Sequence, residues 1–206
     1  MIGAARSLSR SLGWAWALAA LGVLGMVTTA HATVMVEVPL ERLVAEADLV
    51  AHARVLATGA RLVQNAQGHF EPHSVAIVRL LEVIAGAPRA SELVIDEIGG
   101  EVQGRAMRIA GTPEYRTGEE VVLFLRELPG GEYRTYAMAQ GAFEVLPAVG
   151  SAERVVVRDT RTLSIARWSA GAMTLDHGTR AEMPLASFLD VLRAIAASLD
   201  EQGGAR

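Results

Sequence analysis

The sequence contains no cysteine and no lysine, and only 5% of its 206 residues are aromatic. Without cysteine, the chain has no disulfide bonds, no thiolate metal site and no cysteine nucleophile. All of its basic side chains are arginines, and the formal net charge is −4. A net acidic chain without a basic run lacks the electrostatic footprint of a nucleic-acid-binding protein, so we expect no nucleic-acid partner.

Apolar residues, by contrast, are plentiful. They make up 51% of the chain, against 20% charged residues. This composition provides enough hydrophobic surface to offset the loss of chain entropy on folding, which excludes a disordered protein. The length is that of about one domain of roughly 100–200 residues.

The first 32 residues have the pattern of a secretory signal peptide. Arg6 and Arg10 precede an apolar run from Trp14 to Val27, and small residues follow, ending in Ala30-His31-Ala32. The apolar run is shorter than the roughly 20 residues of a bilayer span, so we favour cleavage over an uncleaved membrane anchor. We therefore expect residues 1–32 to be removed, leaving an exported protein, periplasmic or extracellular, without a stable membrane span.

The mature chain, residues 33–206, is predicted to be a single domain of the β-barrel type. Alternation in residues 48–57 predicts a strand with His52 and Arg54 on its solvent side. VVLFL, residues 121–125, has no solvent-facing alternation and should be the central strand. The pattern indicates seven to nine short strands in a mainly β fold, a small and mainly antiparallel barrel.

Two helices should flank the barrel. A short one is predicted at about 40–46, and an amphipathic one at about 184–200. The apolar stripe of the second helix should pack on the barrel. Residues 58–74 read as a long loop or a protruding hairpin, and residues 159–182 are the least regular part of the mature chain.

Two histidines four residues apart, His69 and His73, could bind zinc from a helix if a third ligand were present. Pro72 between them would break that helix, and no third ligand is evident, so we favour a solvated loop and predict no metal site. Gly99-Gly100 and Gly104 resemble a phosphate-binding loop only superficially. Strands are expected on both sides, so a tight turn is favoured and no cofactor is predicted.

No arrangement typical of a catalytic site is present. The chain has no G-x-S-x-G motif, and the neighbouring Asp176 and His177 are expected to lie in a turn. Asp96 and Glu97 should point to opposite faces of a strand, which makes them poor partners for acid–base chemistry. We therefore predict no catalytic residues.

Several short motifs, in their order and spacing, carry a resemblance to a known family over about residues 33–146. They are Ala47-Asp48-Leu49-Val50 with Ala53-Arg54-Val55, Leu81–Ile84 ending at Gly86, Gly99–Gly104, Gly118–Leu125 and Gln140–Phe143. In this order they resemble the netrin-like module, which includes the N-terminal domain of tissue inhibitors of metalloproteinases. They are also similar to a group of exported bacterial proteins.

The resemblance implies a five-stranded OB-type barrel with flanking helices. In the inhibitors, the amine and carbonyl of an N-terminal cysteine chelate the zinc of the target protease, and Thr33 stands in that position here. The resemblance places the mature terminus, Thr33, Val34 and Met35, beside the 58–74 segment. It implies a binding ridge formed by the terminus together with His69 and Phe70.

The function that follows is an exported, non-enzymatic binding module, with an extracellular protease or an envelope protein as its partner. Two alternatives stay open: a structural envelope or matrix component, and an enzyme with an unrecognised site.

The signal peptide leads to a direct prediction. N-terminal sequencing of the exported protein should begin at Thr33, because Ala30 and Ala32 occupy the positions that signal peptidase reads. A start before residue 28 would contradict it.

Overall fold

The computed structural model describes residues 34–161, 163–169 and 172–203. The predicted signal peptide, residues 1–32, and Thr33 lie outside these described residues. The described part is mainly β, as predicted, with two α-helices and one short 3-10 helix. In chain order the elements are β1 (Val34–Val36), α1 (Leu40–Glu46), β2 (Leu49–Gln64), β3 (Phe70–Gly86), β4 (Glu92–Ile98), β5 (Gly100–Val102), β6 (Arg105–Met107), β7 (Glu120–Glu127), β8 (Tyr133–Thr135), the 3-10 helix (Met138–Gly141), β9 (Ala142–Pro147), β10 (Arg154–Asp159), β11 (Ser164–Ser169), β12 (Ala172–His177), β13 (Arg180–Pro184) and α2 (Leu185–Gly203).

Eight of the strands form one large sheet, in the order β13-β10-β9-β7-β2-β3-β4-β8. The end strand β8 also pairs antiparallel with β7, so β7, β2, β3, β4 and β8 form a partial ring. The pairing of β4 with β8 is parallel and involves only Ile95 and Tyr133, which makes it the thinnest part of the ring. Two small sheets, β1-β11-β12 and β5-β6, complete the strand pairing.

Strand β7 is central, as its sequence predicts. Val121–Leu125 are all buried, because both faces of the strand are covered. Leu123 belongs to a core inside the ring, and Phe124 belongs to a second core between the sheet and the helices. A strand that is buried on both faces reads as a continuous apolar run instead of an alternating one.

The ring core contains residues from all five strands of the ring: Leu49, Ala51, Ala53, Val55, Ala76, Val78, Leu93, Ile95, Val121, Leu123, Leu125 and Tyr133. The helix-side core is built from both helices and the other face of the sheet: Leu43, Val44, Val50, Val122, Phe124, Phe143, Val145, Val156, Leu185, Phe188, Leu189 and Leu192. The apolar stripe of α2 therefore packs on the chain's own sheet, as predicted. Among the described residues, no helix combines the length and the hydropathy needed to cross a bilayer.

The structure corrects the prediction for residues 159–182. Instead of irregular chain, this segment contributes β11, β12 and β13. Strand β11 pairs in parallel with β1, which lies more than a hundred residues earlier, and β13 pairs with β10. These partners are remote in sequence, so local alternation carried little sign of them. The described residues form thirteen strands, more than the predicted seven to nine.

Strand β8 is short and ends at Thr135. Ala137 and Met138 take left-handed backbone conformations, with φ of 58° and 56°, and the chain turns into the 3-10 helix. A side chain at Gly141 would place its Cβ 1.9 Å from the carbonyl oxygen of Tyr136. Only glycine fits this close approach, so Gly141 permits the turn into the 3-10 helix that follows the strand.

The central strand provides a test of the ring core. Leu123→Ala should lower the free energy of unfolding by about 2–5 kcal/mol, because it leaves a cavity among the buried side chains of the ring core. Val149→Ala is the control, since Val149 lies exposed in the β9–β10 turn. Chemical denaturation measures both, and equal midpoints for the two variants would contradict the assignment of Leu123 to the core.

Candidate functional site

The most prominent feature of the large sheet is an arm formed by β2 and β3. Strand β2 pairs with β7 only along Leu49–Arg54, whereas its pairing with β3 continues to Gln64 and Phe70. We call residues 57–77 the arm. The hairpin alternative predicted for residues 58–74 is thus the one observed. Within the described part of the chain, residues 57–64 of β2 have no strand partner on the side away from β3.

Asn65 shapes the turn at the tip of the arm. Its Oδ1 accepts hydrogen bonds from the backbone N–H groups of Gln67 and His69, at 3.1 and 2.9 Å. Gly68 adopts a φ of +82° within the same turn. An asparagine that bonds the backbone two residues ahead, followed by a left-handed glycine, is a common way to form a tight turn. The turn therefore presents His69 and Phe70 at a fixed end of the arm.

A buried carboxylate, Asp96 on β4, attaches the arm to the ring. Its Oδ1 accepts a hydrogen bond from Arg61 Nη2 at 2.8 Å, and its Oδ2 accepts one from Arg134 Nη2 at 2.7 Å. His73 Nδ1 lies 2.7 Å from the same Oδ2. These partners come from β2, β8 and β3, so one side chain that is only 3% exposed connects four strands.

The charges of this Asp96 cluster compensate one another. Burial by itself would raise the pKa of Asp96, but hydrogen bonds from His73, Arg61 and Arg134 lower it below its ordinary value. Arg61 also donates to Glu132 Oε1 at 2.8 Å. A buried carboxylate with several charge-assisted bonds costs far more to disrupt than to keep, because removing one partner leaves a charge unpaired. The cluster therefore holds the arm in one orientation.

The structure changes the interpretation of the two arm histidines. His69 is exposed, as expected, but His73 is buried in β3 instead of lying in a solvated loop. Pro72 does exclude a helix, yet a strand accommodates it, and residues four apart on a strand are separated by about 13 Å. His69 and His73 are therefore not neighbours. Across the described residues, no three His, Asp or Glu side chains are grouped so that they could hold a metal ion.

A second polar group lies at the end of the ring core. Glu97 is 4% exposed, and its Oε1 accepts a hydrogen bond from the backbone N–H of Thr135 at 2.9 Å. The hydroxyl of Tyr115 is 2.5 Å from Thr135 Oγ1. Burial raises the pKa of Glu97 to about 7 and that of Tyr115 well above its ordinary value. Asp96 and Glu97 thus bind separate partners, as their positions on a strand predict.

Two adjoining clefts open where the arm meets the ring. One, of about 480 Å³, is lined by Thr58–Ala60 and Ser74–Ala76 of the arm together with Glu101, Glu114 and Tyr115. The other, of about 660 Å³, shares Ser74, Glu101 and Glu114 and continues along residues 106–113. The arrangement can therefore hold an extended chain against the arm beside Glu101 and Glu114, whereas Glu97 reaches neither cleft.

The predicted binding residues fall into two groups. Val34 and Met35 lie in β1 of the three-stranded sheet, with Val34 53% exposed. His69 and Phe70 lie at the tip of the arm in the large sheet, where Phe70 is 57% exposed. Thr33 is outside the described residues. The structure therefore brings together His69 and Phe70, and it places Val34 and Met35 in a different sheet.

His52 is a second histidine that the sequence analysis placed at the surface and that the structure shows to be buried. Instead of facing solvent, it is 6% exposed, with Nε2 lying 2.8 Å from Glu120 Oε1, and burial lowers its pKa. The signal was present in its neighbour Val50, an apolar residue on the same face of β2, which packs in the helix-side core.

The remaining motifs have structural positions. Gln103 and Gly104 form the two-residue turn between β5 and β6, with φ of 52° and 73°, so the predicted tight turn is confirmed. A hairpin turn of this kind requires positive φ at both positions. Asp176 and His177 end β12 instead of lying in a turn, and Asp176 contacts Arg167 at 3.2 Å.

No family model matches the chain, and no curated protein matches it. The resemblance to the netrin-like module stays a prediction from its motifs.

The buried glutamate predicts a specific pH dependence. The pKa of Glu97 rises from 4.5 to about 7 on folding, so the folded state binds more protons than the unfolded state between these values. Relative to Glu97→Gln, the wild type should keep its full stability below pH 4.5. Between pH 4.5 and about 7, its free energy of unfolding should fall by about 3 kcal/mol relative to that of the variant. Denaturation at a series of pH values measures this difference.

The control is Glu153→Gln, at an exposed residue of the β9–β10 turn. Its stability curve should run parallel to that of the wild type across the whole pH range. If the stability of the wild type and that of Glu97→Gln changed in parallel with pH, the raised pKa of Glu97 would be contradicted.

Proposed function

We propose that this protein is an exported, non-enzymatic binding module that engages another protein through its arm. The observation that supports this most is the arm itself. It presents an exposed aromatic residue, Phe70, on a strand pair that the Asp96 cluster fixes to the ring. A large apolar side chain that is held rigidly outside the core is typical of a binding anchor, because little entropy is lost when the partner arrives.

The unpaired edge of β2 gives the arm a second means of recognition. Residues 57–64 offer backbone N–H and C=O groups on the side where β7 does not reach. An exposed strand edge can add a strand from a partner, which provides backbone hydrogen bonds independent of the partner's sequence. Thr58–Ala60 on this edge also line the 480 Å³ cleft, whose other walls carry Glu101 and Glu114.

We also propose that the partial ring is an OB-type barrel of the netrin-like kind. The five ring strands and the two flanking helices support this assignment. In OB folds, ligands contact the second and third strands and the loop between the first and second. The corresponding elements here are β3, β4 and the turn of the arm. Ile77, Leu81 and Val83, at alternate positions of β3, are 39–44% exposed and extend the apolar surface along that strand.

The partner that we propose is an extracellular protease or an envelope protein. The signal-peptide pattern supports export, and the resemblance to metalloproteinase inhibitors supports a protease as the target. In that case the free amine of Thr33 would supply the zinc ligand, with Val34 and Met35 making apolar contacts.

A structural envelope component is the second candidate, and the same unpaired edge of β2 favours it, because two copies could pair edge to edge. An enzyme has less support, since Glu97 lines neither of the clefts beside the arm.

The test is a capture experiment with the mature protein, starting at Thr33, in the secreted and envelope fractions of its own cells. The wild type is compared with Phe70→Ser and with Val149→Ser, which removes an even more exposed apolar side chain from a different turn. Captured proteins are quantified by mass spectrometry. We expect a partner that binds the wild type and Val149→Ser and is reduced about tenfold or more with Phe70→Ser, as for an interface anchor.

Two outcomes would contradict the proposal. Identical captured sets for the three proteins would show that Phe70 is not an anchor. Concentration-dependent self-association of the wild type by analytical ultracentrifugation, with no partner captured, would support the structural component instead.

A further inference from the structure

Arg158 on β10 is a half-buried cation with few protein partners. Its Nη2 donates to Gln140 Oε1 at 3.1 Å, and its guanidinium carbon lies 5.8 Å from the centroid of the Phe143 ring. No ion pair joins it to a carboxylate in the part of the chain that the structure describes. The neighbouring arginines differ, because Arg161 pairs with Asp159 and Arg167 pairs with Glu37.

This position is costly for the folded protein. Burial lowers the pKa of Arg158 below its ordinary value, and the nearby cation Arg167 lowers it further, while Glu37 opposes both. An arginine stays protonated nonetheless, and its guanidinium has five N–H donors. One of them is donated to Gln140, so most N–H groups of this half-buried charge have no acceptor among the described residues and are open to a ligand or to solvent.

Arg158 forms one wall of a small apolar pocket between the helices and the edge of the large sheet. The pocket has a volume of about 170 Å³. Its apolar walls are Leu40 from α1, Phe143 from β9, Val156 from β10, Met183 from β13 and Phe188 from α2. For comparison, an apolar cavity of roughly 150 Å³ inside a protein is sufficient to bind benzene.

The opposite side of Arg158 faces a polar pocket of about 140 Å³, where Thr160, Thr179 and Arg167 are among the lining residues. Arg158 therefore stands at the boundary between an apolar space and a polar one. A ligand that matches both needs an apolar group next to a negative charge.

The acidic residues around the two pockets do not neutralise Arg158. Glu182 lines the apolar pocket and pairs with Arg180 at 3.0 Å, and Glu37 lines the polar pocket and pairs with Arg167 at 2.6 Å. Each of these acids has another arginine as its ion-pair partner, and Arg167 also contacts Asp176 at 3.2 Å. Within the described residues, Arg158 is therefore the arginine of these pockets that has no carboxylate partner. This favours an anion over an amine.

We propose that this Arg158 pocket binds a small apolar monocarboxylate. The carboxylate pairs with the guanidinium of Arg158, and an apolar group about the size of a benzene ring lies among Phe143, Met183 and Phe188. The two oxygens of a carboxylate fit the parallel N–H groups of a guanidinium, which is the pairing that arginine makes best. This site is made of elements other than the arm, so it is independent of the function proposed above.

Calorimetric titration of the mature protein at pH 7 tests the proposal, with 3-phenylpropionate as the probe. The uncharged analogue 3-phenyl-1-propanol has the same apolar group without the carboxylate. We expect the acid to bind about tenfold more tightly than the alcohol, since a hydrogen-bonded ion pair in a partly buried site contributes that much discrimination or more.

Three variants separate the contributions. Arg158→Gln should reduce the affinity for the acid to that for the alcohol. Ala181→Phe should weaken both probes, because Ala181 is the cross-strand neighbour of Arg158, lines the pocket and is exposed enough to accept a larger side chain. Arg161→Gln, an exposed arginine in the next turn, is the matched control and should bind like the wild type.

Either of two results would overturn the proposal. One is equal affinity of the wild type for the acid and the alcohol, or no binding of either probe. The other is unchanged binding of the acid by both Arg158→Gln and Ala181→Phe. Thermal unfolding of each variant accompanies the titrations, so that a loss of binding is assigned only to folded protein.

Discussion

Asp96 is the side chain on which the geometry of the arm depends. Its carboxylate is almost fully buried, and three cationic or titratable partners from three other strands converge on it. A buried charge of this kind is tolerated only when its hydrogen-bonding capacity is satisfied, so the partners must stay in place together. Because Arg61 and His73 belong to the arm while Arg134 belongs to β8, satisfying Asp96 also fixes the arm against the ring.

The Asp96 cluster acts at the place where the ring has the fewest backbone hydrogen bonds. Strand β8 joins β4 through a single residue pair, Ile95 with Tyr133. Arg134, next to Tyr133, reaches across with its Nε to the backbone oxygen of Asp96 at 2.8 Å as well as to the carboxylate. Side-chain bonds thus supplement a short strand pairing. The ring and the arm depend on the same few charges, which makes the proposed binding surface part of the framework of the fold.

The two proposed recognition surfaces lie on different elements of the fold. The arm offers an exposed aromatic residue and a strand edge, which suit an extended protein segment. The Arg158 pocket offers a cation beside an apolar space, which suits a small anion with an apolar group. The arm is supported by the ring core and the Asp96 cluster, whereas the pocket is formed by both helices, β9, β10 and β13. A partner at one site therefore contacts different elements from a ligand at the other.

The elements with local sequence signals are the ones that could be predicted. The apolar run at 121–125, the stripe of α2 and the short helix at 40–46 follow from periodicity, because burial on both faces or on one stripe sets which residues are apolar. The same applies to the tight turn at Gln103-Gly104. Residues 58–74 allowed two interpretations, a loop or a hairpin. Apolar and polar residues alternate there too weakly to distinguish a loop from exposed strands.

The positions of the charged residues follow from tertiary contacts. The sequence pattern predicts His52 on the solvent side of its strand and His73 in a solvated loop, yet both are buried, because Glu120 and Asp96, 20 to 70 residues away, contact them. The burial of Asp96 likewise depends on a distant partner, Arg134. Strand β11 likewise has its partner β1 more than a hundred residues earlier, at the start of the described residues. A buried charge destabilises the folded state unless the fold places hydrogen-bond or ion-pair partners beside it. That information is in the three-dimensional contacts, and the local pattern of the sequence does not contain it.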